Sequence, residues 1–174
     1  MKNADISVII PTHNRAAWLP KCLAHLEQQT FPAGRFEVLV VDDGSTDDTR
    51  SIVERYASGA PMCIRYLHQD HQGLVAAQNY GASESIGESL LFIGDDELVS
   101  PRLLEQHVTA RKEGTCTMGD VHRHPQLPGN TFTRLLLMRE APSGQNYETR
   151  QFLDWPRSNF GLARSAFFDV GGFS

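Results

Sequence analysis

At 174 residues, with 40% apolar and 21% charged side chains, the chain has the balance of one globular domain, neither disordered nor fibrous. A formal net charge of −5 argues against a nucleic-acid binder, which needs a basic face. It leaves room for a phosphorylated ligand whose charge a divalent cation neutralises locally.

Met1-Lys2-Asn3-Ala4-Asp5 leads into an apolar run too short for a signal peptide or a membrane span. The expectation is a cytoplasmic protein, soluble or peripheral to the membrane. Ile6-Ser7-Val8-Ile9-Ile10 is nearly all apolar, as in a strand buried on both faces of a parallel sheet, and stops at Pro11. Leu19, Cys22, Leu23 and Leu26 follow the spacing of one helix face. Val38-Leu39-Val40-Val41 is the second strand, ending at Asp42-Asp43-Gly44. Ser45 or Thr46 is expected to cap the next helix, with Ile52, Val53 and Tyr56 inside. A weaker strand over 64–67 and a small-residue helix over about 74–82 come next. Leu90-Leu91-Phe92-Ile93 is a further buried strand, closed by Gly94-Asp95-Asp96-Glu97.

Ser100-Pro101 reads as an N-cap and first-turn proline, before a helix burying Leu103, Leu104, His107 and Val108. The remainder is less regular: a strand over 115–121, a loop marked by Pro125 to Gly129, and a helix over 131–138. Strand and helix alternate, so the predicted fold class is α/β, a doubly wound and mostly parallel sheet with flanking helices. Cys22, Cys63 and Cys116 are few, odd in number and far apart, without a CxxC pair. All three are expected to be packing residues in a reducing compartment.

Ligands of open α/β sheets bind at the carboxyl ends of the strands. Those ends carry Pro11-Thr12-His13-Asn14-Arg15, Asp42-Asp43-Gly44-Ser45 and Gly94-Asp95-Asp96-Glu97. No GxGxxG follows the first strand and no GxxxxGK[ST] occurs, which excludes a dinucleotide fingerprint and a P-loop. The acidic run at 95–97 offers hard oxygen ligands suited to Mg²⁺ or Mn²⁺, though Asp-rich turns also cap helices and close strands.

In order, these segments resemble the inverting GT-A glycosyltransferases of family 2. The resemblance rests on the stretch from Ser7 to Arg15, Gln28-Gln29-Thr30-Phe31, and the stretch from Val40 to Asp47. It rests also on Gly73 to Asn79 followed by Gly81, on Phe92-Ile93-Gly94-Asp95-Asp96 at the place of the DXD motif, and on Asn159 to Arg164 with Gly171-Gly172-Phe173. It implies transfer of a sugar from a nucleotide-diphospho-sugar donor, a UDP-sugar first among them, with inversion and a Mn²⁺ or Mg²⁺ ion.

Residue by residue, the resemblance implies that Asp43 hydrogen-bonds the base and that Pro11, Thr12, Asn14 and Arg15 lie near base and phosphates. Gly73 and Asn79 belong to the donor segment, Asp95 contacts ribose or sugar, and Asp96 holds the metal. One GT-A-like domain spans 1–174, with a nucleotide-sugar half at about 1–100 and an acceptor-side half beyond it. Two departures stand out: Gly94 replaces the first Asp of DXD, and Gln78 replaces the usual Arg of the A-R-N segment.

The family's general base lies in an acidic pair downstream of Gly-Gly-Phe, so it is expected beyond Ser174. Glu148, Asp154 and Asp169 read as surface or helix-end charges. The alternative is a non-catalytic nucleotide-sugar-binding module or a truncated inactive homologue. A nucleotidyltransferase is weaker, because Pro11 to Arg15 lacks a glycine-rich loop. The acceptor, whether saccharide, lipid or protein, is not encoded in these motifs. Apolar surface meant for a missing segment would favour self-association. His122 and His124 read as solvated surface before a metal pair, and His68 and His71 as a polar loop or a nucleotide contact. Trp155, beside Asp154 and Pro156, is either a sugar-stacking platform or a core residue.

Overall fold

The computed structural model describes residues 4–111, 115–123, 134–137 and 158–174. Strand β1 (Ala4–Thr12) lies between β2 (Phe36–Asp43) and β4 (Gly87–Phe92), parallel to both, with β3 (Cys63–Gln69) beyond β2. Val8 faces Val38 and Leu91 across the two ladders, and Pro11 pairs with Val41. Beyond β4 comes β9 (Phe160–Ala163), antiparallel to it, and then β6 (Cys116–Met118), antiparallel to β9, giving the order β3-β2-β1-β4-β9-β6 among the described residues. The predicted mostly parallel α/β sheet is therefore present, with an antiparallel edge.

The central strands are largely apolar because helices cover both faces. On one face, α1 (Leu19–Glu27) buries Leu19, Cys22, Leu23 and Leu26 completely, as the spacing requires. It packs with Val53 of α2 (Thr49–Ala57) and with Leu103 and Leu104 of α4 (Leu103–Ala110). On the other face, α3 (Leu74–Glu84) lies close because Ala77, Gly81 and Ala82, three of its four buried residues, are small. A Cβ on Gly81 would stand 2.6 Å from Ile9 Cγ2 and 2.9 Å from Val41 Cγ2. Phe92, Phe160, Phe167 and Phe173 complete that layer with ring centroids 5.0–6.5 Å apart. Phe167 belongs to the short helix α5 (Arg164–Asp169).

Several expectations need correction. The strand predicted over 64–67 is longer and forms the sheet edge, where half-burial dilutes the apolar signal. The strand predicted over 115–121 is two strands broken at Gly119, β6 and β7 (Asp120–Arg123). Arg134–Leu137, placed in a predicted helix, is strand β8, paired with β7 and with the short β5 (Glu97–Val99) in a second sheet. A four-residue stretch holding three successive leucines carries no periodicity of its own, so its partners decide its state. Helix α2 begins after Asp48, three residues later than Ser45 and two later than Thr46 would set it; the Asp47 carboxylate accepts Thr49 N–H at 3.0 Å. Helix α4 likewise begins after Arg102, past Ser100-Pro101. Cys22 is buried, Cys63 half-buried and Cys116 exposed, so Cys116 is not a packing residue. His122 lies on β7, whereas His124, the loop from Pro125 to Gly129, Glu148, Asp154, Trp155 and Pro156 lie outside the described residues. Among the described residues, no helix is long and apolar enough to cross a membrane.

Candidate nucleotide and metal site

The parallel register puts the ends of β2, β1 and β4 side by side, and two polar groups form there. The first surrounds Asp43, whose carboxylate is 4% exposed. Its Oδ1 accepts the Gln69 side-chain amide at 2.7 Å and Gln72 N–H at 2.8 Å. Its Oδ2 accepts Gly73 N–H at 2.8 Å and faces His71 Nδ1 at 2.8 Å. Burial by itself would raise this carboxyl, but the N–H donors of Gln72, Gln69 and Gly73, with His71, outweigh it and hold the group below its ordinary value. Asp43 thus organises the loop entering α3, whose N-cap is Gly73 at φ +92°. The neighbouring Asp42 is also committed, accepting Ser45 N–H at 2.8 Å and the Tyr66 hydroxyl at 2.6 Å.

The loop after β1 is latched onto the loop after β2. Asn14, at φ +54°, gives its N–H to Ser45 Oγ and receives Thr46 N–H on Oδ1, both at 2.8 Å. Short polar Asn tolerates that left-handed conformation better than most residues. With Oδ1 turned to Thr46, the Asn14 amide nitrogen meets His13 Nε2 at 3.0 Å. His13 is then the Nδ1–H tautomer, donating to the Asp43 carbonyl at 2.7 Å. The His13 and His71 rings lie 4.4 Å apart. Gly44 sits beneath them at φ +77°, where a Cβ would come within 2.9 Å of His71 N.

The second group surrounds Asp95. Thr12 Oγ1–H donates to its Oδ2 at 2.7 Å, joining the end of β1 to the turn after β4. Asp95 is pushed up to about 6, first by burial and also by the like charge of Asp96; the Thr12 hydroxyl and the Arg15 guanidinium pull the other way without prevailing. Asp96 is partly exposed beside it. Among the described residues, no three His, Cys, Asp or Glu side chains converge on one point. The donor set fits an ion held by one or two carboxylates whose remaining positions are filled by phosphate and water, the usual Mg²⁺ or Mn²⁺ arrangement.

Pro11, Thr12, Asn14, Arg15, Asp43, Gly73, Asp95 and Asp96 all lie at this edge of the sheet. Asn79 does not share it freely: its side-chain N–H donates to the Phe173 carbonyl at 2.9 Å, and its Oδ1 accepts Phe173 N–H at 3.0 Å. Its amide is a clamp between α3 and the C-terminal turn. Gln78, at the position of the usual Arg, is 4% exposed on the packed face of α3. Glu97 is 2% exposed and turns inward, so of the acidic run only Asp96 is partly exposed, while Asp95 is buried at the site and Glu97 is buried away from it. His68 is exposed on β3, and Asp169 is exposed at the end of α5.

Sequence reasoning missed Gln69, Gln72 and the role of His71 toward Asp43; the polar composition of 69–72 marked a loop but not its target. It also missed a buried set in which His107 contacts Thr117 Oγ1 at 2.6 Å and Asn159 Oδ1 at 2.9 Å. Burial lowers His107 to about 4, against the opposing hydrogen bond that its Nε2 makes to Asn159 Oδ1.

Residues 7–171 match the profile of "Glycosyl transferase family 2". The chain is 36% identical over 104 residues to glycosyltransferase AglE of Haloferax volcanii, covering 60% of this chain and 34% of that protein. The mannosyltransferase PcManGT of Pyrobaculum calidifontis, solved with GDP-Man and Mn²⁺, superposes with a TM-score of 0.63 at 27% identity, over 70% of this chain and 36% of that one. TarS 1-349 of S. aureus, solved with UDP-GlcNAc, superposes with a TM-score of 0.61 at 24% identity, over 95% of this chain and 47% of that one. The chain thus spans less than half the length of each of these relatives.

Proposed function

The chain belongs to glycosyl transferase family 2, and from that premise we propose that it binds a UDP-sugar with Mn²⁺ or Mg²⁺ and serves its transfer, with inversion, to an acceptor hydroxyl. The observation that carries this reading is the Asp95–Asp96 pair: two adjacent carboxylates, one buried and pushed up to about 6, in want of a cation. GDP-Man with Mn²⁺ on PcManGT and UDP-GlcNAc on TarS support the ligand class. Asp96 holds the ion, which when bound neutralises charge developing on the leaving diphosphate.

The chain's own groups do the rest. Thr12 orients Asp95 toward the ribose or sugar, and Arg15 adds positive charge beside the phosphates. Pro11 and Asn14 shape the loop under the base, and Gly73 keeps the start of α3 free of a side chain. Asp43 receives the imide N–H of uracil. Its acceptor positions are already taken, and the exposed His71 is the partner that a base displaces at least cost. Asn79 contributes by holding Phe173 against α3. The donor half then lies within about the first 100 residues.

Calorimetry with UDP, in Mn²⁺ and in EDTA, tests the reading; binding is expected in both and tighter with the ion. Equal affinity overturns the metal role, and a preference for GDP or dTDP overturns the choice of base. Donor consumption with a panel of acceptors separates a transferase from a donor-binding module.

A further inference from the structure

We infer that Glu97 is a positioning residue, which holds the Asp95–Asp96 turn in its ion-binding shape and ties it to the segment at Ser158, without itself touching the ion. The inference rests on the ion site proposed above. Glu97 closes the run Asp95-Asp96-Glu97, yet its two carboxylate oxygens meet protein donors. Oε2 accepts Gly94 N–H at 2.8 Å, and Oε1 accepts the Ser158 hydroxyl in a very short contact. Glu97 N–H returns to the Gly94 carbonyl at 3.3 Å, and the Cys22 thiol donates to that same carbonyl from α1 at 3.6 Å. The turn is therefore pinned at residue 94 from three sides.

Any side chain at residue 94 would make Asp96 and Glu97 give by a few tenths of an ångström. A Cβ there would lie 3.1 Å from Asp96 Oδ1 and 3.3 Å from both Cγ and Cδ of Glu97. The Glu97 side chain folds over the space that a side chain at 94 would fill, and Asp96 rests against the same space. Glu97 and Asp96 thus border one and the same space beside Gly94.

The far anchor is itself braced. Next to Ser158, Asn159 adopts φ +53°, accepts Gly119 N–H on its carbonyl at 3.0 Å, and faces His107 Nε2 at 2.9 Å with its side chain. Phe160 then enters β9, opposite Phe92 of β4. A hydrogen-bonded carboxylate that orients a metal ligand from behind affects affinity through geometry, and losing such a partner typically costs about 10–100-fold. Geometry, unlike ligation, survives an isosteric amide: Glu97→Gln can still accept Gly94 N–H and can donate to Ser158 Oγ.

The test is Mn²⁺ affinity of the UDP complex, by electron paramagnetic resonance, alongside UDP affinity in EDTA, for the whole chain and its variants. Glu97→Ala should lose about 10-fold or more in Mn²⁺ affinity, Ser158→Ala less in the same direction, and Glu97→Gln at most about twofold. UDP affinity in EDTA should stay unchanged in all three, since the Asp43 group does not lean on this turn. Glu97→Gln losing as much as Asp96→Asn would make Glu97 a ligand and overturn the inference, and so would wild-type Mn²⁺ affinity in Glu97→Ala. If Glu97→Ala does not fold, Ser158→Ala against Glu97→Gln decides, and equal wild-type affinity in both overturns it. A wild-type chain that shows no metal-dependent gain overturns the proposed function itself, a result distinct from any of these.

Discussion

Asp43 and Asp95 stand at the ends of β2 and β4, with only β1 between them, and the protein treats them oppositely. Asp43 is given more donors than burial can offset, so it is held below its ordinary value and fixes its own loop. Asp95 is given the Thr12 hydroxyl and the charge of Arg15, which a dry site and a like-charged neighbour outweigh, and it rises to about 6. The difference teaches which half of the site is complete. The Asp43 half is organised by the chain alone, whereas the Asp95–Asp96 half keeps two neighbouring carboxylates, the place where the proposed function puts the cation. Stability and ligand affinity should therefore respond differently at the two places.

The sharpest way to break the comparison is Asp43→Ala. It strands the N–H groups of Gln72 and Gly73, each at about 1–3 kcal/mol, so we expect about 4 kcal/mol lost in urea unfolding along with UDP affinity. A variant of unchanged stability would show that Asp43 does not organise its loop.

Asp95→Asn should do the reverse. A carboxyl raised in the folded state stabilises least once ionised: its contribution is whole below its unfolded value near 4 and is lost as pH rises through about 6. The amide removes that loss and should stabilise the metal-free chain above pH 6 by up to about 3 kcal/mol. His107 acts with the opposite sign. Lowered to about 4, its contribution is whole above its unfolded value of 6.5 and is lost as pH falls toward 4. In the wild type the two oppose each other between pH 4 and 6.5, and the stability profile should be flat there. In Asp95→Asn, stability should climb across that window. Parallel profiles for the two proteins would refute the assignment of Asp95.

Asp96→Ala should leave urea stability unchanged or slightly raised, because repulsion with Asp95 is relieved. It should cost about 10-fold or more in metal-dependent UDP affinity by calorimetry, with the value in EDTA unaffected. Unfolding of this variant would make Asp96 structural. The smallest effect is expected for His71→Ala. Its ring is 63% exposed, so its pair with Asp43 should contribute under about 1 kcal/mol to stability. A larger loss would mean that His71, not the backbone donors, holds Asp43 down.

Much of this was legible before any coordinates. The strand cores of β1, β2 and β4, the buried face of α1 and the small-residue contact of α3 each follow from a local pattern that permits one burial. The polar residues gathered where parallel strands end, because that rule depends on chain direction alone. What the pattern could not say is which partner a polar side chain takes. Asp96 and Glu97 are adjacent and chemically alike, yet one faces outward and the other meets Ser158, 61 residues away. Asn79 sits in a donor-like segment but is used by Phe173, 94 residues on. Arg134–Leu137 is a strand because β5 and β7 flank it. Local spacing determined which faces are buried, since burial of a periodic face is decided within a few turns of chain. Tertiary structure alone decided which partner each carboxylate takes, since each buried polar group takes whichever donor the distant chain delivers to it.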